Sequence, residues 1–410
     1  MAKKKPNIRF KGFEEEWEKK SFSDTYTSAS EGGTPSTSVK EFYEGGSIPF
    51  VKIEDTEQKY IYDTNSHITR QGMNNSSAWL VPADSIIFTN GATVGNVAIN
   101  KVPVTTKQGI LGVVRDEKVF DLEYLYYALS TDKFQSEVEK RQSKGTFATI
   151  ILRNLDKIDV PHTDIAEQQK IGEFFQQLDE LIGAKEKELE KLRQMKQALL
   201  DKMFPNDEEN TPPIRFKGFT EPWQKYPIKK MVTFAKGRGY SKSDLRETGC
   251  PVLLYGMLYT DYRTNVTSTD KYVCKNEWSV LSKGTEVVVP ASGETAEDIA
   301  RASAVLTDGI ILGGDLNIIY PNSDLAPAFL AMELTYGCSH RKLVKKAQGI
   351  SVVHLHNSDI AELEINIPSY DEQCKISDYF HSQDKAINNS LEEITKLKTI
   401  KQACLQQMFA

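Results

Sequence analysis

The sequence predicts an α/β fold in two similar halves. Two globular modules of mixed α/β structure are joined by two long antiparallel helices forming a coiled-coil spacer, a tandem duplication with pseudo-two-fold character. Three observations predict it. The hexapeptide IRFKGF occurs at Ile8–Phe13 and again, letter for letter, at Ile214–Phe219, followed each time by a tryptophan, Trp17 and Trp223. Residues 167–204 and 372–409 align without a gap, matching at Glu167/Glu372, Gln168/Gln373, Lys170/Lys375, Phe175/Phe380, Asp179/Asp384, Lys196/Lys401 and Phe204/Phe409, among others. Both aligned segments place apolar residues at steps of three and four with charges between them, the period of an amphipathic helix.

The elements follow in order. Residues 1–17 form a terminal clip, in which Ile8, Phe10, Phe13 and Trp17 are spaced to dock on a neighbouring surface. Residues 18–164 form the first module. Its short apolar runs SIPFVKI (47–53), SIIFTN (85–90), NVAIN (96–100) and ILGVVRD (110–116) read as strands, and LEYLYYALSTDKFQSEVEK (122–140) follows as an amphipathic stretch. Residues 165–205 form the first long helix, which has no internal proline and is closed by Pro205. A helix of this kind is about 60 Å long at 1.5 Å per residue. One apolar stripe of that length needs a partner helix, and the duplicate is the obvious one. The alternative is two helices, each packed on its own module. Residues 206–223 are a polar, proline-bearing linker followed by the repeated clip. Residues 224–369 form the second module, with apolar runs PVLLYGML (251–258), TEVVVPAS (285–292) and GIILGGDLNIIYP (309–321), then FLAMELTY (329–336). Residues 370–410 form the second long helix. The modules share layout but little identity, as expected of one scaffold reading two different things.

Composition narrows the function. Charged residues are 26% and hydrophobic ones 39%, the balance of a soluble globular protein. No apolar run is long enough to span a membrane, and no apolar core follows the lysines of MAKKKPNIRF, so neither a membrane partner nor a secretory leader is expected. Five cysteines without CxxC spacing indicate neither a disulfide framework nor a zinc site, and fit a reducing cytoplasm. A net charge of −6 gives no overall basic footprint. Basic clusters do occur at Lys3–Lys5, KGRGYSKSDLR (236–246) and RKLVKK (341–346), either as solvated surface or as contacts to an anionic partner. No phosphate-cradling GxxxxGK[ST] loop and no NPPY-like methyltransferase motif is present. Glu57–Lys59 is a three-letter fragment of a nuclease pattern, and the HLH of His354–His356 is either a metal pair or structural.

Several motifs resemble the specificity subunits of type I restriction–modification systems over essentially the whole chain. They are GGTPSTSVKEFYEGGSIPFVKI (32–53), TNGATVGNVAI (89–99) and the closing stretch LRNLDKIDVPHTDIAEQQKIGEFF (152–175), echoed at 355–380. The second module departs from this pattern, with KGRGYSKSDL (236–245) and PASGETAEDIARASAV (290–305) at the corresponding places. The resemblance implies that each module is a target-recognition domain reading one half of a split, asymmetric DNA target. The helices would set the spacing, near one helical turn of about 34–36 Å, and dock partner subunits through Phe175, Leu178, Leu192, Phe380 and Leu397. The implied partners are double-stranded DNA, two methyltransferase subunits and two restriction subunits. The cofactors lie in those partners: S-adenosylmethionine in the methyltransferase, ATP and Mg2+ in the restriction subunit, none in this chain. The implied location is the bacterial cytoplasm, on the nucleoid when DNA is bound.

No catalytic residue and no metal ligand is assigned. Glycine-rich polar loops admit a close backbone approach to DNA, and Arg, Lys, Asn and Gln read base edges. The DNA-contact candidates in the first module are Thr34, Ser36, Lys52, Asn90, Thr93, Lys107, Gln108, Lys144 and Thr146. In the second they are Lys236, Arg238, Tyr240, Lys242, Tyr255, Ser292, Arg301, Lys345, Lys346 and Gln348. Two other functions remain open: a self-contained nuclease or methyltransferase, and a coiled-coil interaction protein with no DNA role.

Overall fold

The computed structural model describes residues 5–143, 148–206, 209–347 and 353–409. The chain forms two compact units that do not follow its linear halves. The first contains residues 1–186 together with 393–410, and the second contains residues 187–392. Each long helix, Ile165–Met203 and Tyr370–Met408, therefore contributes to both units.

In the first unit the opening half of the first long helix lies against the end of the second. Asp179 pairs with Lys401 at 2.5 Å, Lys185 with Glu393 at 3.1 Å and Glu186 with Lys398 at 2.7 Å. Asp179, the earliest of the three on its helix, meets Lys401, the latest on the other, so the pairing is antiparallel. In the second unit Lys196 pairs with Asp384. The duplicated letters thus act reciprocally, each repeated aspartate meeting the other copy's lysine. The two reciprocal pairs are half-buried and the other two more exposed; surface pairs contribute about 0–1 kcal/mol each, so they mark register more than they stabilise. The helices are partners, as their length implies, not separate struts.

The first unit is built on a five-stranded sheet. Its strands are β1 (Tyr26–Glu31), β2 (Tyr60–Ile61), β3 (Ser85–Thr89), β4 (Val97–Asn100) and β5 (Ile110–Arg115), in the order β1-β5-β3-β4-β2. The second unit repeats it with β6 (Val232–Lys236), β7 (Asn265–Val266), β8 (Glu286–Pro290), β9 (Ser303–Val305) and β10 (Leu316–Pro321), in the order β6-β10-β8-β9-β7. The order is the same strand for strand, although the modules share little sequence. The central strands β3 and β8 are buried along their whole length, which is why SIIFT and EVVVP are nearly continuous apolar runs. The amphipathic stretch 122–140 forms two helices, Leu122–Leu129 and Asp132–Arg141. Thr131 divides them because its hydroxyl accepts the Phe134 N–H and caps a new helix start. GIILGGDLNIIYP is likewise two strands, Asp308–Leu312 and β10, turned at Asp315 with φ +55°.

The repeated clip docks on the start of each long helix. Arg9 grips Glu167 through both ends of its guanidinium, Nε to Oε1 at 2.6 Å and Nη2 to Oε2 at 2.8 Å. Arg215 grips Glu372 in the same way at 2.9 and 2.7 Å. Phe10 packs edge-on against Phe174, and Phe216 against Tyr379. Lys170 stands over Phe13, and Lys375 over Phe216 and Phe219. The next helix residue turns to the module instead. Gln168 accepts the Asp121 N–H and donates to the carbonyls of Val119 and Thr163. Gln373 accepts the Ala326 N–H and donates to Asp324 and Pro368. Every repeated letter of EQ-x-KI thus has a partner: Glu for the clip arginine, Gln for the module backbone, Lys for a clip ring, Ile for the core.

The cores cross the duplication. Leu405, Met408 and Phe409, at the end of the second long helix, pack with Trp17, Tyr124 and Phe175 in the first unit. Leu200, Met203 and Phe204, at the end of the first, pack with Trp223 and Phe329 in the second.

Candidate nucleic-acid interface

Strand direction gathers the candidate residues at one edge of each central sheet. β1 and β3 both run antiparallel to β5. The residues after β1, those after β3 and those before β5 therefore share an edge. There the Gln108 N–H reaches Thr34 Oγ1 at 3.5 Å, and the Gly109 N–H donates to the Glu31 carboxylate at 2.7 Å. The Asn90 N–H donates to the Gly109 carbonyl and the Lys107 N–H to the Val51 carbonyl, both at 2.9 Å, which brings Lys52 alongside. A Cβ on Gly32 would sit 1.9 Å from the Thr106 carbonyl oxygen, so the turn into the GTPS loop needs glycine.

Thr34, Lys107 and Gln108 are exposed at this edge, and Lys52 is half-buried. Ser36 and Thr93 are exposed on flanking loops, with Ser36 Oγ sharing a hydrogen bond with Ser38 Oγ at 2.8 Å. Asn90 is different. It is buried, and its amide donates to the Ile150 carbonyl at 3.3 Å, so its side chain braces the module from inside. Lys144 and Thr146 lie outside the described residues, as does Gln348 in the second module.

In the second unit β6 and β8 run antiparallel to β10 and form the corresponding edge. Lys236 ends β6. The Gly237 N–H donates to the Leu316 carbonyl at 2.9 Å and the Arg238 N–H to the Leu312 carbonyl at 3.1 Å, fixing the loop on both sides. Ser292 Oγ and His354 Nδ1 are 3.2 Å apart at the same edge. Arg301 precedes β9 and stands 5.5 Å from the Tyr262 ring centroid. Tyr255 follows the strand Cys250–Leu253 and packs with Tyr259. Lys242 and Lys345 are exposed, whereas Lys346 is drawn into a pair with Glu362.

The helix residues assigned to partner docking divide into two kinds. Leu178, Leu192 and Leu397 are half-buried. Phe175 and Phe380 are 0% and 2% exposed, so they face the core of their own unit and offer nothing to another subunit. The ring of Phe175 is covered by Tyr127, Phe174 and Phe409.

The two weak catalytic motifs resolve structurally. Lys59 of the Glu57–Lys59 triplet turns inward, paired with Glu123 at 2.7 Å and bonded to the Tyr127 hydroxyl at 2.6 Å. Desolvation lowers its pKa against the opposing pull of Glu123. Among the described residues no group of three His, Cys, Asp or Glu side chains is placed to hold a metal, so the His354–His356 pair has no third ligand there. One exposed residue escaped sequence reasoning: Trp278, 41% exposed, packed at a tilt against Tyr240 beside Arg238. A large aromatic within the polar run KNEWS was its signal.

The arrangement suits an anionic, groove-bearing partner: two edges of exposed Lys, Arg, Gln, Thr and Ser on rigid sheets, with different side chains on each. Comparison with known proteins agrees. The family model for the type I restriction modification DNA specificity domain matches twice, at residues 14–194 and 220–402. The chain is 35% identical over 193 residues to the type I restriction enzyme MjaIX specificity subunit of Methanocaldococcus jannaschii, covering 46% of this chain and 44% of that one. It is 30% identical over 157 residues to the EcoR124I/EcoR124II specificity subunit of Escherichia coli, covering 37% and 39%. These alignments span less than half of those relatives. An alignment at 21% identity to the MjaVIII specificity subunit of M. jannaschii covers 88% of this chain and 87% of that one. Among solved structures, the type I restriction–modification S subunit from M. genitalium superposes with a TM-score of 0.62 at 15% identity, over 99% of both chains. A second, described as the structural basis of complex assembly and conformational transition of the type I R–M system, gives 0.57 at 14% identity over 96% and 97%. At these identities the two superpositions bear on the fold alone.

Proposed function

Since this chain belongs to the type I restriction–modification DNA specificity family, we propose that it is the subunit that chooses the DNA sequence on which a type I complex acts. One observation carries the reading. Two units with the same strand order present different side chains at the same sheet edge. A duplicated scaffold with divergent edges suits a bipartite, asymmetric target, each unit reading one half in the major groove.

In this reading the side chains divide by task. Exposed lysines such as Lys107, Lys242 and Lys345 meet phosphates, which position without specifying. Edge residues such as Thr34, Gln108 and Arg238 meet bases. The paired helices set the separation of the half-sites and carry two methyltransferase subunits, with two restriction subunits completing the complex. The chemistry belongs to those partners: S-adenosylmethionine serves adenine methylation, and ATP with Mg2+ serves restriction. No step is assigned to a residue of this chain. The setting is the cytoplasm.

The net charge of −6 sets up a direct test. Purified alone, the chain is expected to bind duplex DNA weakly, because most phosphate contacts come from its partners. Assembled with methyltransferase subunits, it is expected to bind tightly and selectively, with affinity falling steeply as salt rises. Titrations of both forms against salt check this. Tight, selective binding by the isolated chain would contradict the division of labour, and no DNA binding by the assembled form would contradict the function.

A further inference from the structure

Building on that reading, we propose that Arg238, standing over the ring of Trp278, reads a guanine in the half-site recognised by the second unit. The loop that launches Arg238 is fixed. Besides the bonds to Leu312 and Leu316, the Gly314 N–H donates to the Gly239 carbonyl. Gly239 and Tyr240 both adopt left-handed backbone, φ +61° and +59°. For tyrosine this conformation is costly. Its hydroxyl holds it there, accepting the Asn276 N–H at 3.0 Å and lying 2.6 Å from Ser279 Oγ. The Trp278 ring closes over the turn so tightly that a Cβ on Gly239 would lie 2.2 Å from it. Tyr240 and Trp278 pack as a tilted pair, with centroids 4.9 Å apart and planes at 37°.

On this platform the Arg238 guanidinium stands 6.0 Å from the Trp278 centroid. The side chain is exposed, and among the described residues no carboxylate pairs with it. A cation–π position over an aromatic ring leaves the N–H groups of a guanidinium open. It also removes rotamer freedom before DNA arrives. A pre-oriented planar fork matches guanine O6 and N7, the commonest specific major-groove contact. A phosphate offers similar chemistry, but flexible lysines meet phosphates without such a platform, and Lys236 and Lys242 flank this one. The first unit has GGTPS (32–36) where the second has KGRGY (236–240), so the device belongs to one half-site only.

The test is the adenine-methylation motif written in cells by the methyltransferase together with the full chain, as wild type, Arg238→Ala, Arg238→Lys or Trp278→Ala. The expected wild-type motif has a guanine in the half-site that changes when residues 224–369 are exchanged. Both Arg238 variants are expected to relax that one position about ten- to hundredfold, leaving the others intact. Lysine fails because it cannot form the fork. Trp278→Ala is expected to relax the same position less. An intact wild-type motif with no such guanine overturns the inference, as do Arg238 variants that write the wild-type motif unchanged. Uniformly weaker methylation at every site would assign Arg238 to a phosphate and also overturn it. A wild-type chain that directs no sequence-selective methylation would instead fail the underlying reading of function, and the inference with it.

Discussion

Phe409→Ala, one residue from the C-terminus, is expected to destabilise the unit built from the first half of the chain. Phe409 is 2% exposed and packs against Trp17, Tyr124 and Phe175. Truncating a buried phenylalanine to alanine costs about 3–5 kcal/mol from lost transfer energy and the cavity left behind. The cost should fall on residues 18–164, although 245 or more positions separate them from the substitution in sequence. Phe204→Ala is the mirror experiment. Phe204 ends the helix that begins in the first unit, yet it packs with Trp223 and Phe329, so residues 224–369 should lose stability. Hydrogen exchange read by mass spectrometry separates the two. Loss of protection over 224–369 after Phe409→Ala would contradict the crossed cores.

The second large effect concerns the repeated arginine. Glu372 is 1% exposed and, among the described residues, its carboxylate takes its hydrogen bonds from Arg215, one on each oxygen. Removing one partner of a buried ion pair leaves an uncompensated charge and costs about 3–5 kcal/mol. Arg215→Ala is therefore expected to destabilise the second unit by that amount. Arg9→Ala should cost the first unit less, because Glu167 keeps the Trp17 indole N–H at 3.1 Å and the Thr163 hydroxyl. The same motif thus has unequal weight in its two copies. The double variant Arg215→Ala/Glu372→Gln should recover much of the loss, since the amide carries no charge to strand. Chemical denaturation of the four proteins measures the difference. Equal costs for the two arginines, or no rescue, would contradict the account.

The clip, the helices and their antiparallel pairing were legible because the segments are written twice, whereas the reciprocal aspartate–lysine register was not. Repetition identifies EQ-x-KI, and the period of three and four identifies the helices. The sequence could not show that each helix ends in the other unit's core. Phe204 and Phe409 are apolar residues at a helix end, and periodicity alone does not name their neighbours. The division of 122–140 at Thr131 is not legible in sequence, because threonine is tolerated within helices and only its hydroxyl bond to the Phe134 N–H marks a cap. The glycine-rich loops fall at one edge of each central sheet, where Thr34, Lys107, Gln108, Lys236 and Arg238 lie together. Residue type misled at Asn90 and Phe175. An asparagine amide can brace a loop as readily as read a base, and a helix phenylalanine can face its own core as readily as a partner. Burial separates these cases, and burial is a tertiary property.

The measurement that bears most directly on the central claim is the adenine-methylation pattern, read by single-molecule sequencing, in cells expressing this chain with its methyltransferase subunit and in cells lacking the chain. The account predicts a bipartite, asymmetric motif present only with the chain, one half of which changes when residues 18–164 are exchanged for another module. Methylation that does not depend on the chain would contradict it, as would an exchange that alters both halves together.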